Sequence, residues 1–440
     1  MIIDSIEELD SLFQYMQQKK CLVVPILTDH QLHVSVNKLC CIYVYTEDGV
    51  EQLVPINHTE QIRGFSSHVQ QFLDLDDIYI HDKKIWLQLG GNDTTKDVKT
   101  LWYFTYNEAY DESHYWQAAH RFYHRRHQNL QHVNTIIPIM QHLAMCQKIR
   151  HYAWPMIENS KLTKSYKTFN SLYPRVFAQI ESNGMQVNNL FANKTVITDN
   201  RVYTNYHYHT STGRPSNAFR GFNFAAMNKE DGTRAAFCSR FETGALLEMD
   251  FDAYHVRLIA RLIGYDFPAG SIHSYFGKFY FDKPELSIDE YEQSKQLTFR
   301  LLYGGIDHEF LSIPFFAQVN NFISSMWTRW KRNGYIETAL DKRIISREQF
   351  PDMTKNKLFN YYLQSLETEV SVRKIDQIQK LLERYKSCII LYTYDSVLFD
   401  ITIEEAKQLI PAIKEIMEAG KLPVKCKLGG IYSKMNEFVL

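Results

Sequence analysis

No two of the seven cysteines stand in a C-x-x-C pair, so neither a zinc site nor a disulfide framework is suggested. The adjacent Cys40 and Cys41 lie in an apolar run and read as buried thiols of a reducing cytoplasm. No apolar run approaches the length of a membrane span, so no membrane partner is expected. The opening Met1-Ile2-Ile3-Asp4 lacks a basic region followed by an apolar stretch, so no secretory signal is expected and the location reads as cytoplasmic. An excess of charge is missing too: 49 Lys and Arg face 50 Asp and Glu, for a formal net charge of −1. Any basic surface must therefore be local. His120-Arg121-Phe122-Tyr123-His124-Arg125-Arg126-His127 and Arg329-Trp330-Lys331-Arg332 are candidates, although each also reads as a solvated helix face. What the chain does have is length, 440 residues with 45% hydrophobic content, enough for two or three domains with a sizeable core.

Two aspartates end apolar, strand-like runs 145 residues apart: Asp250 in Leu246-Leu247-Glu248-Met249-Asp250-Phe251 and Asp395 in Ile389-Ile390-Leu391-Tyr392-Thr393-Tyr394-Asp395. A carboxylate at the exposed end of a buried strand is held rigidly while still meeting solvent. Two of them together can hold a pair of divalent ions about 4 Å apart, the arrangement used for in-line phosphoryl transfer. Magnesium suits such a site, taking one or two carboxylates and leaving its other positions to water and phosphate. Either aspartate alone also reads as an ordinary strand-end residue.

Between them, Lys295, Phe299 and Tyr303 recur at spacing four and share one face of a helix expected to end at Gly304-Gly305 in a left-handed cap. A cation, a ring and a phenol on one stripe suit a nucleoside triphosphate. In isolation the same pattern reads as a core stripe with a surface lysine.

The motifs, taken in order, resemble those of family A DNA polymerases, the group of bacterial DNA polymerase I and phage replicative enzymes. Thr210-Ser211-Thr212-Gly213-Arg214-Pro215-Ser216 resembles T-x-T-G-R-L-S and is followed by Asn223-Phe224 and Gly232-Thr233-Arg234-Ala235-Ala236-Phe237. Asp250-Phe251-Asp252-Ala253-Tyr254-His255-Val256-Arg257 resembles the first palm motif, and the Lys295 stripe resembles the fingers helix. Asn360-Tyr361-Tyr362-Leu363-Gln364 resembles N-x-x-x-Q, and Tyr394-Asp395-Ser396 stands where H-D-E is usual.

The resemblance implies a DNA-directed DNA polymerase with two Mg2+ ions held by Asp250, Asp395 and the Phe251 carbonyl. Lys295 would neutralise charge on the transferred and leaving phosphates. Arg234 and His273 would contact the triphosphate tail, with His255, Phe299 and Tyr303 lining the pocket for base and sugar. Arg214, Asn223, Asn360 and Gln364 would touch DNA. In isolation, Gln364 and His273 also read as groups that satisfy buried backbone. The implied partners are primer-template DNA, deoxynucleoside triphosphates and a processivity or replisome protein. The compact form and altered motifs suggest a viral enzyme, hence a host-cell cytoplasm.

The fold class expected is α/β: a ribonuclease-H-like exonuclease-type domain, then a right-hand α+β palm and fingers, with the thumb reduced or absent. The divisions are 1–150 for a vestigial 3′–5′ exonuclease, 151–200 for connecting helices and reduced thumb, 201–260 for the first part of the palm, 261–345 for the fingers and 346–440 for the rest of the palm. Strands are expected at Cys21 to Ile26, Leu39 to Tyr45 and Glu51 to Ile56. The first of them carries no acid, and Asp82 is the one plausible leftover of a nuclease site. Gln179-Ile180-Glu181-Ser182-Asn183-Gly184 resembles the thumb entry, yet too few residues follow for long thumb helices.

Three departures matter. The fingers arginine is replaced by Tyr291, leaving Arg300 or Lys278 as substitute grips. The glutamate that excludes ribonucleotides is replaced by His255, which leaves a ribonucleotide-tolerant enzyme open, and the second acid of H-D-E is Ser396. A non-catalytic nucleic-acid-binding scaffold on a decayed polymerase fold is the alternative of another class.

Overall fold

The computed structural model describes residues 1–29, 32–60, 64–106, 109–110, 133–191, 197–227 and 232–438. The basic stretch 120–127 lies outside them. The chain forms two compact units, Met1–His209 with Asn217–Met227, and Thr210–Ser216 with Asn228–Leu440.

The first unit is built on a five-stranded mixed sheet of order β3-β2-β1-β4-β5. Its strands are β1 (Cys21–Leu27), β2 (Leu39–Thr46), β3 (Glu51–Pro55), β4 (Tyr79–Ile80) and β5 (Lys96–Asp97). The first three lie within one residue of their expected bounds. They run antiparallel, while β4 and β5 run parallel to β1. Apolar residues on both faces of β1 separate at period two. Leu22, Val24 and Ile26 pack with helix α1 (Ile139–Asn159), and Cys21 and Val23 pack with Leu9, Phe13 and Trp86. Helix α2 (Lys164–Asn183) follows and adds Tyr166 to the first of these clusters.

The second unit centres on an antiparallel sheet of β6 (Gly244–Phe251), β7 (Cys388–Thr393), β8 (Ser396–Thr402), β9 (Val424–Gly429) and β10 (Asn436–Phe438), in the order β7-β8-β6-β9-β10. In β6 the side chains of Leu247, Met249 and Phe251 are buried, whereas Glu248 and Asp250 share the opposite, wetter face. Around this sheet lie α3 (Tyr254–Ile263), α4 (Ile272–Phe281), α5 (Ile288–Gly304), α6 (Pro314–Asn333), the 28-residue α7 (Lys355–Leu382) and α8 (Ile403–Glu418). In α6, Trp330 is buried while Arg329, Lys331 and Arg332 are exposed. No helix among the described residues is long and apolar enough to cross a membrane.

Candidate active site

Strand β6 delivers Asp250 to the mouth of a cavity of about 410 Å³ in the second unit, and the β7–β8 hairpin delivers Asp395 to the same wall. The hairpin turn is two residues long, with Thr393 paired to Ser396. Asp250 pairs with Ser396, and the Phe251 N–H donates to the Asp395 carbonyl at 2.9 Å. Sheet register therefore makes the two residues backbone neighbours, and both side chains line the one cavity. Tyr394 holds φ at 61°, a left-handed value seldom taken by a non-glycine residue. The Arg214 guanidinium stacks on its ring, 3.6 Å from the centroid.

The opposite wall comes from α5, which begins at a Ser287/Glu290 capping box. It presents Lys295, Phe299 and Tyr303 to the cavity, and the two rings are parallel with centroids 6.0 Å apart. The helix ends differently from expectation. Gly304 is its last residue and Gly305 adopts φ 115°, ψ 150°, an extended positive-φ state rather than a left-handed cap. A Cβ at Gly305 would stand 2.9 Å from Asn356 Nδ2, which donates to the Gly304 carbonyl.

The remaining lining groups are oppositely charged and close together. Arg214 Nε lies 2.9 Å from Glu367 Oε2, and His255 Nε2 lies 3.2 Å from the same oxygen. His255 Nδ1 also bonds the Tyr303 hydroxyl at 2.5 Å. Asp395 keeps an exposed face, but the cavity atoms crowding its carboxyl, and then the Glu367 charge, raise its pKa above the ordinary carboxylate value. Burial works to raise Asp252 as well, but Arg257 and Lys425, at 3.1 and 3.2 Å, outweigh it and lower its pKa. Burial pushes His273 down to about 4 despite the pull of Asp252, so its imidazole is neutral at pH 7. Its Nδ1 is buried without a hydrogen-bond partner.

Several expected site residues lie elsewhere. Arg234 is absent from the cavity wall; its guanidinium stacks 4.5 Å from the Tyr432 centroid and 4.0 Å from Glu248. Asn223 belongs to the other unit, where its side chain caps the turn Phe224–Ala226. Asn360 Nδ2 donates to the Tyr303 carbonyl at 3.2 Å, fixing the end of α5, and neither Asn360 nor Gln364 lines the cavity. Arg300 pairs with Asp307 at 2.9 Å, and neither it nor Lys278 lines the cavity beside Tyr291. Lys425 and Lys427 do reach that cavity. They sit on β9 directly opposite Asp250 and Glu248, which puts them on the same sheet face. Neither was expected from motif spacing.

Glu367 was missed as well, although a signal existed. Asn360, Gln364, Glu367 and Ser371 form one helical stripe at spacings four, three and four. The acids lining the cavity, Asp250 and Asp395 among them, offer hard oxygen donors, and a cation would favour the ionised form of Asp395. Such a set fits divalent magnesium.

No protein-family model matches the chain. Among solved structures, it is similar to "POL domain of Pol1 from M. smegmatis complex with DNA primer-template and dNTP", with a TM-score of 0.73 and 14% identity. The match covers 98% of this chain and 99% of that one. The fold is polymerase-like.

Proposed function

We propose that this chain is a template-directed DNA polymerase that adds deoxynucleotides to a primer 3′ end by two-metal phosphoryl transfer. The observation that carries this is that Asp250, Asp395 and Lys295 of α5 line one cavity. Two magnesium ions, held by Asp250, Asp395 and the Phe251 carbonyl, would supply a lowered pKa at the primer hydroxyl and neutralisation of the triphosphate. Lys295 places its ammonium against the phosphates, where charge develops as the pyrophosphate leaves. Lys425 and Lys427 offer the further cations that Tyr291 withholds. Neutral His273 offers a hydrogen bond rather than a charge to the triphosphate tail. Phe299 and Tyr303 form the apolar floor for the base, and His255, locked between Tyr303 and Glu367, blocks the sugar face. Arg214, stacked on Tyr394, keeps the hairpin turn in its strained shape and faces the nascent pair.

The N-terminal sheet, with three antiparallel strands and two parallel to the first, supports a ribonuclease-H-like exonuclease remnant. Its acids are engaged in structure. Asp82 accepts from the Ile85 N–H and pairs with Lys99 at 2.6 Å, while Asp97 accepts from Thr100 and the Lys83 N–H. This supports an enzyme without proofreading. Only a short segment separates α2 from the Arg201–Val202 strand, which supports a reduced thumb and dependence on a processivity protein. A viral replicative role suits such a compact enzyme. The scaffold alternative is disfavoured by the retained carboxylates, the lysine and the open cavity.

Primer extension by the purified full chain tests the proposal. Template-directed addition of deoxynucleotides with magnesium is expected, with short products per binding event under a DNA trap and no 3′ trimming of a mispaired primer. Failure to extend any primer, with or without added replication proteins, would refute it.

A further inference from the structure

The first unit contains a buried cluster that the polymerase reading leaves unused. Cys40 of β2, His58 just after β3 and His142 of α1 place their ligand atoms within 4.8 Å of one another, and all three are buried. Cys40 and His142 are 0% exposed. A bulge brings a second thiol beside Cys40. In the β1–β2 ladder Ile26 pairs with Cys41 and Leu27 with Leu39, so Cys40 is the extra residue. As a result Cys40 and Cys41 both face the α1 side of the sheet, whereas their neighbours Leu39 and Ile42 face the other. The two Sγ atoms are 3.8 Å apart, about the separation of two thiolates on one tetrahedral zinc with bonds near 2.3 Å.

His142 is oriented as a metal ligand usually is. His142 Nε2 lies 2.8 Å from the Asn134 carbonyl and must carry the proton, which leaves Nδ1 bare. That Nδ1 is buried and has no hydrogen-bond partner. His58 Nε2 donates likewise to the Ile137 carbonyl at 2.7 Å, while its Nδ1 accepts from the Glu60 N–H at 3.2 Å, a bond that an incoming metal would displace. The two rings are perpendicular with centroids 5.6 Å apart, as two ligands converging on one point can be. A buried acceptor left unpaired is costly, and the group that would satisfy it must be a proton donor or a cation.

We propose that Cys40, Cys41, His58 and His142 form a structural zinc site in the N-terminal unit, separate from the magnesium-type carboxylates of the second unit. Thiolate and imidazole donors select zinc over magnesium. Binding releases two thiol protons to solvent, so one Zn2+ with two thiolates and two neutral imidazoles is uncharged overall, as a site this buried requires. The Cys40, His58 and His142 ligand atoms would close by roughly 1 Å to reach bonding distance, and Cys41 Sγ, which stands outside that group, would move further. The ion would pin the bulge of β2 to the chain after β3 and to α1, adding to the hydrogen bonds that already join them, such as Asn57 N–H to the Cys40 carbonyl and Ile139 N–H to Glu60.

Elemental analysis of the full chain, purified after zinc loading and gel filtration, tests this directly. About one zinc per chain is expected. Cobalt substitution should give intense visible bands of tetrahedral Co2+ with a sulfur-to-metal charge-transfer band, which carboxylate-bound cobalt lacks. Chelation should lower the wild-type Tm by several degrees and leave the Tm of Cys40→Ser/Cys41→Ser and of His142→Gln unmoved, both variants having lost the metal. Wild type that retains no zinc, or a cobalt spectrum without the sulfur band, would overturn the proposal. Neither result bears on primer extension.

Discussion

Arg214 Nε lies 2.9 Å from Glu367 Oε2, joining the loop ahead of β6 to the middle of α7. The same oxygen takes His255 Nε2 at 3.2 Å. One buried carboxylate thus gathers a group that stacks on the Asp395 turn and a group that bonds α5. A buried carboxylate shared by two partners organises a site, because removing it leaves both partners misplaced.

Replacing Glu367 by Gln should shift the acid limb of the kcat/KM profile for primer extension to lower pH. Asp395 must be ionised to work. The cavity atoms crowding its carboxyl and then Glu367 raise its pKa, so deleting the Glu367 charge lets Asp395 ionise in more acidic solution. Activity at pH 8 should fall by about tenfold as Arg214 and His255 lose their anchor. An acid limb that stays fixed or moves upward would count against the coupling.

Asp250→Ala and Asp395→Ala should each reduce nucleotide addition by about 10³-fold or more, the scale of several kcal/mol of lost charge stabilisation. Thermal unfolding should change by no more than about 1 kcal/mol, since neither side chain fills the core. Normal extension by either variant would remove the two-metal assignment.

Lys295 has Glu292 at 4.0 Å as its ion-pair partner and is about half exposed, so little structure rests on it. Lys295→Ala should lower kcat by about 10²–10³-fold with an unchanged Tm. A rise in KM alone would show that the ammonium serves binding rather than the chemical step.

His255→Ala should raise the use of ribonucleoside triphosphates relative to deoxy substrates by about tenfold or more, the usual worth of one steric contact. His255 is fixed by Tyr303 and Glu367, so its removal opens space that no neighbour fills at once. Competition between ribo and deoxy substrates on one primer reads the ratio directly, and an unchanged ratio would remove His255 from sugar selection.

Glu369 supplies a test of stability apart from activity. It is 2% exposed and accepts from the Leu340 N–H. Burial, then the Asp341 charge, pushes its pKa up from 4.5 to about 7. The folded state therefore holds the proton more tightly than the unfolded chain. That contribution is fully present below about pH 4.5 and is lost as pH rises through about 7. Glu369→Gln, which cannot ionise, should exceed wild type in stability at pH 8 by on the order of 2 kcal/mol and lose the advantage at pH 5. Urea titrations at the two pH values would show it.

Local pattern alone was enough for strands β1 to β3, for the apolar strands ending near Asp250 and Asp395 and for the helix carrying Lys295, because period, caps and turn chemistry act within a few residues. The two aspartates were legible for the same reason, each ending its own apolar strand. What lay beyond reach depended on register and on helix–sheet packing across long separations. Lys425 and Lys427 face the cavity only because β9 pairs beside β6 in one register. Glu367 enters it because α7 packs with that face inward, and Arg234 is drawn away by Tyr432 and Glu248. Cys40 meets His58 and His142 through a bulge and a helix contact that no short motif encodes. Sequence thus determined which elements form and which chemistry they carry. Tertiary structure decided which of those side chains share a space, because proximity between distant segments is set by the collective packing of the core.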